Sequence, residues 1–175
     1  DSDRNAFFSN LECAGIIDSV EFHEMSSQDL STSWDRPIRL LWIDGDHTYE
    51  GVKSDFKNYS PFLIPGGVIA FHDVMHFEGV TNAFAKYVLR SDVFGCAGIV
   101  GSIGWAQVRY PDCPDLHRRR RFCLASGLDR HTQAVGRGYS KLNKMLTRIQ
   151  RWRVPHGPLS STEFQRYIEI SPLKK

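Results

Sequence analysis

Two short apolar runs, each ending in charged residues, constrain the fold of this chain more than any other feature. The first covers residues 38–43 and is followed by Asp44, and the second covers residues 68–71 and is followed by His72 and Asp73. Strands that are apolar at nearly every position are typical of a parallel sheet that is buried on both faces. The two runs therefore predict buried strands with charged side chains at their carboxyl ends.

Helical patterns alternate with these strands. Residues 49–63 and 80–89 predict helices, and residues 96–110 predict two further strands joined near Gly101. Alternating strands and helices are typical of α/β proteins, in which the strands are mostly parallel. The sequence therefore predicts an α/β fold around one sheet.

Three further elements are predicted on either side of the first strand. Residues 3–14 predict a helix that Asp3 caps and that ends at Gly15. Residues 19–25 alternate between apolar and polar side chains, as a strand does. The Pro-Gly-Gly run at residues 65–67 predicts a turn.

The charged residues at the strand ends indicate a site, because ligands of open α/β sheets bind at the carboxyl ends of the strands. Asp44 and Asp73, with His72 as a third ligand, predict a site for Mg²⁺, which prefers oxygen ligands and keeps several of its waters. His47 follows Asp44 by three residues. Its unperturbed pKa of about 6.5 suits a base that takes a proton from a hydroxyl at neutral pH.

Each of these residues also has a purely structural interpretation. Either Asp46 or His47 caps the helix that follows, and Asp73 is a turn residue. His23 and His76 are expected to be surface or packed histidines, although the His-Asp-x-x-His pattern that ends at His76 is a weak match to a metal motif. The residues alone leave the structural and the functional interpretations open.

A longer stretch resembles a known family. It reads LLWIDGDHTYEGVKSDFKNYSPFLIPGGVIAFHDV, residues 40–74. It resembles the second half of class I S-adenosylmethionine-dependent methyltransferases, in the branch of small-molecule and sugar O-methyltransferases, and the resemblance extends over residues 1–110. It implies a Rossmann-like methyltransferase sheet, mostly parallel with a C-terminal antiparallel strand, that lacks its first strands.

The resemblance also implies the cofactor and its contacts. The methyl donor would be S-adenosylmethionine. The segment around residues 25–30 is similar to the part of catechol-type O-methyltransferases where a Ser-Gln pair contacts the adenine. The implied cofactor-binding residues are Ser27, Gln28 and Asp44.

The catalytic base and the metal ligands are implied in the same way. His47 lies where catechol-type enzymes have a lysine base and macrocin-type enzymes have a histidine. The implied ligands of Mg²⁺ are Asp44, His72 and Asp73. His72 stands where the family usually has an acid, which leaves the alternative that His72 and Asp73 only shape the substrate pocket.

One part of the family pattern is missing. The glycine-rich loop after the first strand, and the acid that ends the second strand, bind the cofactor in the family. The glycines of residues 95–104 come too late in the chain to form that loop. We therefore expect the sequence to begin near the end of the second strand and, taken alone, to bind S-adenosylmethionine weakly.

Charge divides the chain into two parts. Residues 1–110 hold 8 Lys and Arg against 15 Asp and Glu, whereas residues 111–175 hold 14 against 5. This split predicts two functional zones. With the resemblance, it implies a partial methyltransferase domain over 1–110 and a basic, partly helical extension over 111–175, in which the spacing of apolar residues predicts an amphipathic helix at 140–154. The extension is either a solvated or packed basic helix, or it binds nucleic acid, an anionic membrane surface or an acidic partner.

Composition favours a cytoplasmic protein. The sequence contains no apolar run of about 18 residues that could span a membrane, and its first residues lack the pattern of a signal peptide. The four cysteines form no Cys-x-x-Cys pair, which favours reduced thiols. Three functions remain: a metal-assisted O-methyltransferase, a non-catalytic interaction module that could self-associate, and an RNA-directed methyltransferase.

Overall fold

A computed structural model describes residues 2–136 of the 175-residue chain. The chain divides into two compact units, Asp1–Trp34 and Asp35–Lys175, and each unit is described by itself. The helix predicted at residues 140–154 lies outside the described residues.

The first unit contains two helices, α1 (Ser2–Cys13) and α2 (Ser27–Ser31). Gly15 follows α1 with φ of +67°, a left-handed conformation that glycine adopts without strain. The predicted first helix is therefore confirmed, although Asp3 lies within its first turn instead of capping it. Three phenylalanine rings pack together in this unit: Phe7, Phe8 and Phe22.

The predicted strand at residues 19–25 is wrong. A 3-10 turn, Ile17–Ser19, is followed by irregular chain up to the start of α2. Phe22 lies against the phenylalanines of α1, and every strand pair among the described residues belongs to the second unit. A strand needs a hydrogen-bonded neighbour, so an alternating pattern alone does not produce one.

The second unit is built on a four-stranded sheet in the order β1-β2-β4-β3. The strands are β1 (Ile38–Ile43), β2 (Leu63–Phe71), β3 (Phe94–Val100) and β4 (Ile103–Val108). β1 and β2 are parallel, whereas β2–β4 and β3–β4 are antiparallel. β1, β2 and β3 therefore run in the same direction and β4, the last strand, runs opposite to them, so the α/β class and the mostly parallel sheet with a C-terminal antiparallel strand are confirmed for the described residues.

The predicted Pro-Gly-Gly turn lies inside β2. The pairing of β1 with β2 shifts between Ile38 and Leu40, so the extra residues of β2 form a bulge. Gly66 has φ of +81° there. A Cβ on Gly67 would lie 2.9 Å from the Ile64 carbonyl oxygen, so only glycine fits.

Three helices join this sheet: α3 (Tyr49–Tyr59), α4 (Glu78–Ala83), which continues as a π-helical segment (Phe84–Leu89), and α5 (Arg118–Gly136). Their apolar side chains meet alternate positions of the strands in one core, which includes Leu124 and Leu128 of α5. The strand positions in this core include Ile43, Ile69, Phe71, Ile99, Ala106 and Val108.

The prediction that the first strand is buried on both faces is wrong. Leu40 is 62% exposed and Trp42 is 47% exposed, whereas Ile38 and Ile43 are buried. β1 lies at the edge of the described sheet. The described helices of the second unit pack on the face that carries Ile43, so Leu40 and Trp42 point away from this core.

Candidate functional site

The charged residues that follow β1 and β2 lie side by side, because the two strands are parallel neighbours. The register pairs Ile43 with Phe71, the last residues of the two strands. The His72 amide then donates a hydrogen bond to the Ile43 carbonyl oxygen at 3.0 Å. Asp44 and Asp73 therefore follow the carboxyl ends of two neighbouring strands, as the sequence predicted.

The carboxylate of Asp73 contacts three imidazole groups at the carboxyl ends of these strands. Asp73 Oδ2 lies 3.3 Å from His72 Nδ1 and 3.4 Å from His47 Nε2, and Asp73 Oδ1 lies 2.8 Å from His76 Nδ1. His72 Nδ1 also lies 3.3 Å from Asp44 Oδ1. We call these five residues the strand-end cluster.

The backbone of Asp73 is unusual. Its φ of +58° makes it the single non-glycine residue with positive φ among the described residues. Such a conformation is uncommon and costs stability in residues other than glycine, although asparagine and aspartate adopt it more readily than most. Strained backbone of this kind concentrates at functional sites. The conformation also starts the turn in which the His76 amide donates to the Asp73 carbonyl oxygen at 2.9 Å.

The pKa of the Asp73 carboxyl is lowered. The hydrogen bond from His76 is the main cause, and the positive charges that His72, His76 and His47 can carry act in the same direction, against a smaller opposing effect of desolvation. Asp73 is therefore an ionised carboxylate near neutral pH. It is the natural counter-ion for a protonated imidazole in the cluster.

A network of short polar contacts fixes the loop that carries His47. Thr48 caps α3, its hydroxyl accepting from the Gly51 amide at 3.1 Å. Asp46 accepts from the Thr48 amide at 2.9 Å and from the Thr48 hydroxyl at 2.6 Å, which lowers the pKa of Asp46. The helix cap is thus Thr48, and Asp46 orders the turn in front of it.

His47 itself is held on two sides. Its ring stacks on Phe77 with 4.1 Å between the ring centroids and 28° between the planes, while Nε2 is buried and faces Asp73. The separation of 3.4 Å is long for a hydrogen bond. A Cβ on Gly79 would lie 2.4 Å from the His47 carbonyl oxygen, so the start of α4 can approach this loop only because residue 79 is glycine.

Sequence reasoning missed the roles of three residues. His76 is the surface histidine that the sequence predicted, but it also forms the shortest contact of the cluster with Asp73. Phe77 is 44% exposed and Trp42 is 47% exposed, and the Trp42 ring lies 5.9 Å from the His72 ring. The i, i+3 spacing of Asp73 and His76 was a usable signal, whereas the two aromatic contacts depend on how separate segments pack together.

The other predicted residues lie in the first unit. Ser27 and Gln28 are exposed residues at the start of α2, which Ser26 caps. His23 pairs with Glu21 at 3.0 Å. The cofactor-binding role of Ser27 and Gln28 stays a prediction.

The metal site also stays a prediction. Among residues 2–136, no group of three His, Cys, Asp or Glu side chains is arranged to hold a metal ion. In the strand-end cluster the His72 Nδ1 lies 3.3 Å from one oxygen of Asp44 and 3.3 Å from one oxygen of Asp73. The two carboxylates match the oxygen preference of Mg²⁺, whereas the His72 nitrogen fits Mg²⁺ less well than an acid would.

Part of the chain is similar to known proteins. Residues 1–74 match the model of a protein family described as a methyltransferase domain, and every member of the strand-end cluster except His76 lies in this segment. The "Uncharacterized protein y4gI" of Sinorhizobium fredii (strain NBRC 101917 / NGR234) is 49% identical over 55 residues, which are 30% of this chain and 6% of that relative. The family match supports a methyltransferase, for which S-adenosylmethionine is the usual methyl donor.

Proposed function

We propose that this chain contributes the acceptor side of the active site of an S-adenosylmethionine-dependent O-methyltransferase that acts on a hydroxyl of a small molecule or sugar. The main support is that His47 and His72 contact the same carboxylate, Asp73, inside the segment that matches a methyltransferase family. The contact lies at the carboxyl ends of two parallel strands, the edge where α/β sheets bind their ligands.

His47 is the proposed general base. Bound S-adenosylmethionine would supply a methyl group on a positively charged sulfur, and the acceptor oxygen that takes this methyl group loses its proton. We assign the proton-accepting role to Nδ1 of His47, because Nε2 is buried against Asp73. A neutral imidazole that carries its hydrogen on Nε2 has its lone pair on Nδ1, where it can accept the proton.

Asp73 is the proposed orienting group. Its carboxylate stays ionised because its pKa is lowered, so it can hold the hydrogen on His47 Nε2 and stabilise the positive ring that forms after proton transfer. The stack on Phe77 fixes the plane of the same ring. A base that is oriented by a carboxylate and by packing loses little freedom when the acceptor binds.

Magnesium is not part of this proposed mechanism. The sequence-based ligands Asp44, His72 and Asp73 remain a prediction, and no proton transfer described above passes through a metal.

The test compares two histidine variants of the protein that contains this chain. Transfer of labelled methyl from S-adenosylmethionine is measured with a panel of sugars and of aromatic and aliphatic alcohols. We expect His47→Gln to lower kcat by roughly 10²–10⁴-fold, which is the usual contribution of a positioned base. The matched control, His23→Gln, changes a histidine that pairs with Glu21 in the first unit and should keep wild-type kcat.

Two results would contradict the proposal. If His47→Gln keeps wild-type turnover, His47 is not the base. If the wild-type protein methylates no hydroxyl in the panel, the strand-end cluster does not serve O-methylation, and a non-catalytic module becomes the better interpretation.

A further inference from the structure

The start of α5 carries more positive charge than a helix start favours. Four consecutive arginines, residues 118–121, form its first turn, and no acidic residue lies among them. The N-terminal end of a helix carries a partial positive charge, so cations are disfavoured there. The placement of four arginines in this first turn lowers the stability of α5, which points to a binding role for these side chains.

One of the four arginines has a structural role. Arg121 is 1% exposed, and its guanidinium donates to both carboxylate oxygens of Asp115 at 2.8 Å. It also donates to the carbonyl oxygens of Ser91 and Gly95, each at 2.8 Å. Arg121 therefore fastens the start of α5 to the sheet and is not available to a partner.

The other three arginines face solvent. Arg118, Arg119 and Arg120 are all exposed. Arg118 lies 3.6 Å from Asp92, with both side chains more than 60% exposed, and a pair of that kind contributes little. Arg119 and Arg120 form no ion pair within residues 2–136. Three exposed guanidinium groups thus lie on consecutive residues of the first turn of α5, about 100° apart around the helix axis.

Exposed apolar side chains stand next to these charges. Leu116 is 82% exposed, more than any other large hydrophobic side chain that the structure describes. It lies in a turn closed by a hydrogen bond from its amide to the Pro114 carbonyl oxygen at 3.0 Å. Phe122 is 39% exposed, and the Arg118 guanidinium lies 5.6 Å from its ring centre.

We propose that this surface, Leu116 to Phe122 with Arg121 excluded, docks on an anionic phospholipid membrane. Arginines attract and bind the lipid phosphates, while Leu116 and Phe122 enter the boundary between headgroups and acyl chains. Nucleic-acid phosphates would satisfy the arginines equally well, but they offer no apolar medium for Leu116. Attachment would be to the surface, since the described residues include no helix long and apolar enough to cross a bilayer.

The experiment uses the whole 175-residue chain and co-sedimentation with vesicles. One set of vesicles is phosphatidylcholine alone, and the other contains phosphatidylserine in addition. The test variant combines Arg118→Gln, Arg119→Gln and Arg120→Gln. The matched control combines Arg36→Gln, Arg39→Gln and Lys57→Gln, which removes the same charge from exposed positions elsewhere in the second unit. Residues 137–175 are the same in both, so any binding that they contribute cancels in the comparison.

We expect the wild-type chain to bind vesicles that contain phosphatidylserine and to bind phosphatidylcholine alone much more weakly. The test variant should bind roughly 100-fold more weakly, because each basic residue near an anionic surface contributes about fivefold. Leu116→Ser should weaken binding by about 10-fold through the lost apolar contact. The control variant should bind clearly better than the test variant.

Three outcomes would overturn the proposal. The first is equal binding by the test and control variants, and the second is unchanged binding by Leu116→Ser. The third is an RNA oligonucleotide that binds more tightly than the vesicles and loses its affinity in the arginine variant, which would assign the surface to nucleic acid. Circular dichroism of each variant confirms that the helices are retained.

Discussion

Asp73 combines two properties that rarely occur in one residue. Its backbone adopts a left-handed conformation, with φ of +58°, and its carboxylate contacts three imidazole groups. The first property costs stability, while the contacts made by the side chain offset part of that cost. The same turn brings His76 back onto the carboxylate. The geometry of this single residue therefore determines the arrangement of the cluster.

The lowered pKa of Asp73 predicts a pH-dependent contribution to stability. Its folded-state pKa lies below the unfolded value of 3.8, so the stabilisation is fully present above that pH and is lost as the pH falls through the folded pKa. Asp73→Asn removes the charge but keeps a side chain that tolerates positive φ. We therefore expect the variant to be less stable than wild type at pH about 5, and the difference to shrink as the pH falls through the folded-state pKa of Asp73.

Urea unfolding of wild type and Asp73→Asn across this pH range checks the prediction. Asp112→Asn, at an exposed position in the turn before α5, is the control for the loss of one carboxylate from the second unit. A difference between wild type and Asp73→Asn that stays constant with pH would mean that the ionised carboxylate does not stabilise the fold.

At the scale of elements, the start of α4 positions the loop between β1 and α3. Phe77 stacks on His47, and residue 79 lies so close to this loop that a Cβ would be 2.4 Å from the His47 carbonyl oxygen and 2.5 Å from the Tyr49 amide nitrogen. Both neighbouring atoms belong to the backbone, so no side-chain rotation can relieve the clash. The position of His47 thus depends on an element that follows it by some thirty residues.

Gly79→Ala should disturb this contact. We expect a loss of about 1–3 kcal/mol in the free energy of unfolding, the usual cost of forcing an extra carbon into a packed contact. kcat should fall as well, because the loop that carries His47 must move. Glu78→Ala, at an exposed position in the same turn, should stay within about 0.5 kcal/mol of wild type. A Gly79→Ala protein with wild-type stability and turnover would show that the close contact is not needed.

Arg121 and Asp115 link α5 to the sheet. The guanidinium is almost fully buried, and its hydrogen bonds are the main cause of the lowered pKa of Asp115. Asp115→Ala leaves a buried positive charge without its carboxylate, for which we expect a loss of about 3–5 kcal/mol in the free energy of unfolding. Asp92→Ala, which breaks only the exposed pair with Arg118, should cost less than about 1 kcal/mol. Chemical denaturation of both variants measures the two losses, and equal losses would contradict the structural role of Arg121.

At the scale of the whole molecule, the sequence predicted the structural features that depend on neighbouring residues. It did not predict those that depend on residues far apart in the chain. Asp44 and Asp73 were predicted at strand ends because each apolar run is followed by charged residues. The helices were predicted from the local spacing of apolar residues. Whether the alternating residues 19–25 form a strand depends on a pairing partner, and whether Trp42 is buried depends on what covers β1. The local sequence pattern determines neither the pairing of residues 19–25 nor the burial of Trp42.

The same distinction applies to the candidate site. The sequence identified Asp44, His47, His72 and Asp73 because strand ends are where ligands bind in α/β sheets. It did not identify the contacts of His76 and Phe77, since these require the left-handed turn at Asp73. The metal role that it assigned to Asp44, His72 and Asp73 stays a prediction. Side-chain directions, which residue spacing does not fix, account for the contacts that the sequence missed.

The central claim is that His47 and Asp73 act as one catalytic unit, and a double-mutant cycle on methyl transfer tests it most directly. kcat is measured for wild type, His47→Gln, Asp73→Asn and the double variant. If Asp73 acts by orienting and stabilising His47, the double variant should be no slower than His47→Gln alone, because residues that work as a unit show strongly non-additive effects. Losses that multiply in the double variant would contradict the claim, since His47 and Asp73 would then contribute independently.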